Sequence, residues 1–290
     1  MRCEQLFINR ISEPFLSICA ADCEALSPEI CSNERNVAVD MDALSCLPLF
    51  SRMEKLVLRP GEIKPGSLGC LKGLKIRALK LDYISDEIDD YTLDLSWFPA
   101  LELLTSQTSR NFKNADRCRT LRTLRVQNWM EPDLEILRGS QLTALELMSG
   151  RLRSLRGIGR SGLSLSVSNQ RALADVSALE CMELESLEIE RCPKIDLEAL
   201  PALPDLEYLA LYGSQHMQSL ALLRRFPKLR HFLFDIFIED GDLAPLNALE
   251  HSVSLIDRKH YNRKDRELPK SAPFRSDRIS AWLAILPPAN

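Results

Sequence analysis

Few residues in this chain have the types and spacing that acid–base, nucleophilic or metal chemistry needs. The four histidines are His216, His231, His251 and His260, and none stands at zinc-ligand spacing from a cysteine or another histidine. The nine cysteines are Cys3, Cys19, Cys23, Cys31, Cys46, Cys70, Cys118, Cys181 and Cys192. They form no C-x-x-C, and scattered thiols of this kind read as small buried hydrophobes. Asp86-Glu-Ile-Asp-Asp90 is acidic but lacks the glycine and pattern of a calcium loop, so it reads as solvated. Gly157-Ile-Gly159-Arg-Ser-Gly162 has the letters of a dinucleotide fingerprint without the strand that should precede it. Its glycines suit tight turns. No P-loop and no G-x-S-x-G occur. The expectation is a chain that is not an enzyme, with no catalytic residues, no metal ligands and no cofactor.

The spacing that does carry information points to recognition. From Leu184 to Phe234, polar and aromatic residues alternate with leucines, so they occupy the exposed face of short strands. Glu188, Glu190, Tyr208, Tyr212, His231, Leu233 and Asp235 fall on that face, with Glu146 and Arg125 at matching positions upstream. Two tyrosines, a leucine and a rim of acids are the ingredients of a protein interface, where aromatics anchor and charges orient. The acids imply a partner with a basic surface.

These residues are placed by a repeat. Leu184-x-x-Leu187-x-Ile189 returns as Leu206-x-x-Leu209-x-Leu211 and as Leu229-x-x-Phe232-x-Phe234. Clear copies start at Leu121, Leu142 and Leu163, and a weaker one runs Leu101-x-x-Leu104-x-Ser106. Leu56-Val57-Leu58, Leu79-Lys80-Leu81, Asn36–Asp40 and Val253-x-Leu255 complete about eleven units, spaced 19 to 25 residues apart. In each unit the last two apolar residues describe a strand with one buried face. The neighbouring units supply its hydrogen-bond partners, giving a parallel sheet. The segments between strands, such as Asp196–Pro204, Leu220–Phe226 and Asp242–Leu249, read as short helices or helical turns that bury leucines behind the sheet. Asp175 suits an N-cap, and Pro204 and Pro227 stop the returns before the next strand.

With its L-x-x-L-x-L cores and D-L-x-x-L-x-x-L-P-x-L returns, the chain resembles the leucine-rich repeat family, in particular the internalin and phosphatase-regulator subclass with units of roughly 22 residues. The resemblance covers residues 36 to about 256. The asparagine that usually follows the strand is mostly replaced, for instance by Cys192 and Gly213. The resemblance implies an α/β solenoid, a horseshoe with a parallel concave sheet and helical or irregular convex returns. Residues 1–35 would form an N-terminal cap, 36–257 the repeats, and 258–290 a basic C-terminal tail or cap. The tail carries 8 basic and 3 acidic side chains, against 7 and 16 in residues 161–257. It would either close the last repeat, with Trp282, Leu283 and Ile285 as a plug, or dock on the acidic region. Fraying is expected around 262–276.

Function follows as a set of expectations. The chain would bind a protein through its concave face. One version is an inhibitor or immunity protein neutralising a toxin or enzyme. The alternatives are an adaptor or regulatory subunit that leaves its partner active and, on the loosely F-box-like Glu13–Cys19 and Leu44–Pro48, a ubiquitin-ligase substrate receptor. The cysteine-dependent ligase activity of some bacterial repeat effectors is not expected, because no cysteine follows Cys192. Arg110, Lys113, Arg117, Arg119, Arg122 and Arg125 form a basic run without interleaved aromatics in a chain of pI about 5.7, so nucleic acid is not expected as a partner. No run is apolar enough to span a membrane, and the N-terminus does not read as a secretion signal. A cytoplasmic location is expected.

Overall fold

The computed structural model describes residues 6–8, 28–31, 55–59, 69, 71–81, 92–159 and 163–270. The chain divides into two compact units, Met1–Asn128 with Ile136–Gln141, and Trp129–Glu135 with Leu142–Asn290. The first contains strands β1 (Leu6–Ile8), β2 (Pro28–Cys31), β3 (Lys55–Arg59), β4 (Ala78–Leu81), β5 (Leu93–Asp94), β6 (Leu103–Thr108), β7 (Phe112–Lys113) and most of β8 (Thr123–Trp129). Parallel pairing runs β1–β2–β3–β4–β6–β8, with β5–β7 as a separate two-stranded ladder. The strand paired ahead of β3 is therefore β2, inside the stretch assigned above to a cap, while Asn36–Asp40 lies outside the described residues.

The second unit repeats the plan. It holds β9 (Ala144–Gly150), β10 (Leu163–Ser168), β11 (Leu184–Glu190), β12 (Tyr208–Tyr212), β13 (His216–Met217), β14 (His231–Phe234), β15 (Phe237–Ile238) and β16 (His251–Ser254). The main ladder is β9–β10–β11–β12–β14–β16, all parallel, and β13–β15 form a second short pair. Register puts like on like: Leu165 faces Leu187, Leu187 faces Leu209 and Leu209 faces Phe232. Those side chains are almost fully buried, as are Val167, Ile189, Leu211 and Phe234 on the next inward row. Each such side chain contributes about 1.5–3 kcal/mol of burial.

The returns, expected as short helices or helical turns, are not α-helical. Among the described residues there is no α-helix; the returns are 3-10 turns at Leu95–Trp97, Ala115–Arg117, Glu135–Leu137, Ser177–Cys181, Leu197–Ala199, Leu220–Arg225 and Ala244–Ala248. The physical reason is the apolar spacing. Leu95, Phe98 and Leu101, Ala115, Cys118 and Leu121, Val176, Leu179 and Met182, Leu197, Leu200 and Leu203, and Leu220, Leu223 and Phe226 are all buried. A strict period of three matches the 3-10 helix, whose side chains eclipse at i and i+3, and not the 3.6 of an α-helix.

A small polar residue opens each turn. The side-chain oxygens of Asp94, Asp133, Asp175, Asp196, Ser219 and Asp242 accept from the backbone N–H two residues on. Ser154 does the same for Arg156. This satisfies donors that the turn would otherwise leave open. Inside the unit the missing asparagines are replaced by other donors. Cys192 Sγ donates to Val167 O, Gln215 Nε2 to Cys192 O, and Gln170 Nε2 to Leu147 O, each reaching a preceding repeat. Gly150 has φ 137°, and a Cβ there would lie 1.9 Å from Trp129 O, so only glycine fits.

The last repeat corrects the expected register. Val253 and Leu255 were to face the core, but Ser252 and Ser254 pair with Phe232 and Phe234 and are the buried pair. Leu255 is 58 % exposed. A one-residue shift moves every side chain to the other face, and here the following chain makes that shift favourable. Tyr261 and Leu268 are buried and supply the apolar bulk that serines lack. Tyr261 Oη donates to Ile236 O, its ring tilted against Phe234. Ser252 N–H donates to Pro269 O, Ser254 N–H to Asp265 Oδ1, and Lys270 Nζ to Ser252 O. An antiparallel bridge joins His251 to Lys270. Residues 258–270 thus cover the free edge of β16 as an ordered cap, where fraying was expected from 262. Trp282, Leu283 and Ile285 lie outside the described residues.

Candidate functional site

The outward face of the second unit is built by register. One row runs Ala144, Ser164, Ser186, Tyr208, His231 and His251 across six strands. The next runs Glu146, Ser166, Glu188, Ala210, Leu233 and Val253, and a third places Ser168, Glu190 and Tyr212 side by side. Neighbouring strands are about 4.8 Å apart, so Glu188 stands within two strands of Glu146, Tyr208, Tyr212 and Leu233. The face grades from acids on β9 and β11, through tyrosines on β12, to Leu233 and Val253 on β14 and β16.

Its centre is a tyrosine bridge. Tyr208 and Tyr212 flank Ala210, which is fully buried although it points away from the leucine core. The Tyr208 and Tyr212 hydroxyls are hydrogen-bonded to each other across it. Burial raises both phenols above their ordinary range, and the nearby Glu188 carboxylate adds to the effect. Both stay neutral hydrogen-bonding groups at any ordinary pH. Glu188 itself is pushed up by burial and then by the charges of Glu146 and Glu190. No cation of the described residues offsets this. Glu190 has a cation, Arg191 Nη1 at 3.1 Å from Oε1.

The other candidates divide. His231 is on the face but only 6 % exposed, and burial followed by the neighbouring His251 lowers its pKa, so it is a neutral ring at pH 7. Leu233 is half-buried. Asp235 sits past the end of β14 as a latch: its carboxylate accepts from Gly213 N–H and its carbonyl from Arg258. Arg125 belongs to the first unit, in a row with Thr105 and Lys80. His251 and Val253 extend the face but were not candidates. Their outward orientation had no signal in the sequence, because the serines between them do not resemble core residues.

Other chemistry-bearing residues have structural partners. Gly157 has φ 104°, and a Cβ there would lie 2.4 Å from Glu135 N, so its glycine serves a close approach of returns. Burial raises the Cys118 thiol and pushes Cys192 up to about 11, which keeps both as unreactive thiols. His216 lies 3.5 Å from Glu239, and His260 Nε2 lies 2.8 Å from Ile238 O. Among the described residues no three His, Cys, Asp or Glu side chains converge as metal ligands would, and no helix is long and apolar enough to cross a membrane. No protein-family model matches the chain, and no match is found among curated proteins.

Proposed function

We propose that this chain is a leucine-rich repeat module that binds a protein partner through the outward face of its second unit, without chemistry of its own. The carrying observation is Glu188: a half-buried carboxylate, flanked by Glu146 and Glu190, beside the Tyr208–Tyr212 bridge and without an offsetting cation. An arginine or lysine from a partner would relieve that repulsion, while the tyrosines and Leu233 supply contact area with little loss of side-chain freedom. The partner is therefore a protein with a basic residue at the centre of its interface and apolar residues beside it. In the favoured version the chain is an inhibitor, such as an immunity protein, that covers a basic functional surface.

The test is affinity capture from the native cells with wild type and a Glu188→Arg/Tyr208→Ala/Tyr212→Ala variant whose circular dichroism matches wild type. A partner held by wild type and lost by the variant supports the reading. Equal retention by both overturns this face as the interface. The activity of the captured partner, measured with and without the chain, separates an inhibitor from an adaptor.

A further inference from the structure

We propose that the loop edge at the C-terminal ends of β10, β11 and β12 is a separate binding site for a phosphate monoester. Asn169, Arg171, Arg191, Pro193, Ser214 and Gln215 line an open cavity of about 340 Å³ there. They come from three successive post-strand loops, so the repeat itself brings two arginines, a serine and two amide residues to one cavity. A cavity of this size holds more than a bare anion.

The cations are available. Arg171 is exposed and has no hydrogen bond or ion pair among the described residues. Arg191 gives Nη1 to Glu190, which leaves most of its five N–H donors open. Gln215 is held in place by its bond to Cys192 O, and that fixes the floor.

The backbone adds an independent observation. Asn169, Arg191 and Gly213 each follow directly on a strand and each has positive φ, at 53°, 50° and 128°. The position calls for glycine or asparagine, and two of the three repeats comply. Arginine is a poor residue for that conformation, its backbone N–H bond to Tyr212 O would be made by any residue there, and its guanidinium, 68 % exposed, meets Glu190 at the surface, where such a pair contributes little. Strain held at a cavity rim points to a role in binding.

The chemistry of the lining selects the ligand class. A carboxylate has one charge and two oxygens, and one arginine fork satisfies it. A phosphate monoester near pH 7 has nearly two charges and three terminal oxygens. It needs two cations and further donors, which Arg171, Arg191, Ser214 and Asn169 supply. Pro193 provides an apolar wall for the carbon skeleton carrying the phosphate. That skeleton could be a small metabolite or a phosphorylated side chain, and the experiment separates them.

The test is calorimetric titration of the full chain, without any partner protein, so its outcome is independent of the interface proposed above. The probes are glycerol 3-phosphate and an end-blocked phosphoserine peptide, on wild type, Arg171→Gln and Arg191→Gly. Wild type should bind, and each substitution should weaken binding by about tenfold or more. Arg191→Gly should leave the melting midpoint unchanged or higher, because Gly213 fills the same position in the next repeat. Loss of binding in that variant then cannot be loss of fold. Tighter binding of the peptide assigns the site to a modified protein, and tighter binding of glycerol phosphate assigns it to a metabolite. No binding by wild type, or equal binding by all three proteins, overturns the proposal.

Discussion

Glu188 shows how much of the outward face is decided by single side chains. Its carboxyl has a pKa raised from the ordinary 4.5, by burial first and by Glu146 and Glu190 second. A carboxyl raised on folding binds protons more tightly in the native state, so it lowers stability as the pH rises from its unfolded value through its folded value. The penalty is complete at higher pH and vanishes below the unfolded value. Glu188→Gln should therefore raise the thermal midpoint at pH 7 to 8, by roughly 1–3 °C for a chain of this size, and the gain should disappear near pH 4. Melting curves at the two pH values check this; a gain that persists at pH 4 would mean that charge is not the cause. A residue retained at a cost to stability fits a face kept for recognition. The neighbouring Tyr208 and Tyr212 need no such cost, since they are neutral and their hydroxyls share a hydrogen bond.

At the scale of the element, the return is as regular as the strand. In all the described returns but Ala115–Arg117, an acid or serine bonds the backbone two residues on; an apolar residue follows, and apolar residues recur every third position. Asp175 is the most heavily used of these caps. It accepts from Ser177 N–H, Ser177 Oγ and Ser154 Oγ, and these bonds, that of the Ser177 hydroxyl first, hold its carboxyl below the usual range. Asp175→Ala should cost about 1–2 kcal/mol in urea denaturation at pH 7, whereas Asp205→Ala, which removes only an exposed pair with Lys228, should cost about 0.5 kcal/mol or less. Because a depressed carboxyl stabilises above its unfolded pKa, the Asp175 effect should begin to fade as the pH falls below about 4 and vanish only below its lower folded value. Equal costs for the two variants would show that the caps are not what holds the returns. The strands were legible in the sequence because leucine at the L-x-x-L-x-L positions admits one period. The returns were half legible: their leucines marked burial, but Leu197, Leu200 and Leu203 fit a loose helix on casual reading and a 3-10 turn only when the spacing of three is taken strictly. The face was legible by alternation through Leu233 and failed at Val253, where the buried partners are serines and their apolar cover, Tyr261 and Leu268, comes from residues further along the chain.

In each unit, a stack of parallel-paired repeats, stability is close to a sum of repeats and nearest-neighbour contacts, and an open end is the weak point. In the second unit that end is β16, with two core-facing serines and, just beyond it, the exposed Leu255 and Ile256. Residues 258–270 close it with backbone pairing, the Asp265 and Lys270 bonds, and the buried Tyr261. Tyr261 also ties two loops through one hydroxyl, donating to Ile236 O and accepting from Ile238 N–H. Tyr261→Ala should then cost about 3–5 kcal/mol, the usual result of deleting a buried aromatic. Nearest-neighbour coupling also dictates where the loss is felt. Amide exchange should accelerate first in β16 and β14, and only at higher denaturant in β10 and β11. With the edge of β16 loosened beside Leu255 and Ile256, the variant should self-associate as its concentration rises, which light scattering would detect. Exchange that speeds up evenly from β9 to β16 would mean that the unit opens as one block, and the cap would then be a contributor to total stability instead of the guard of one end.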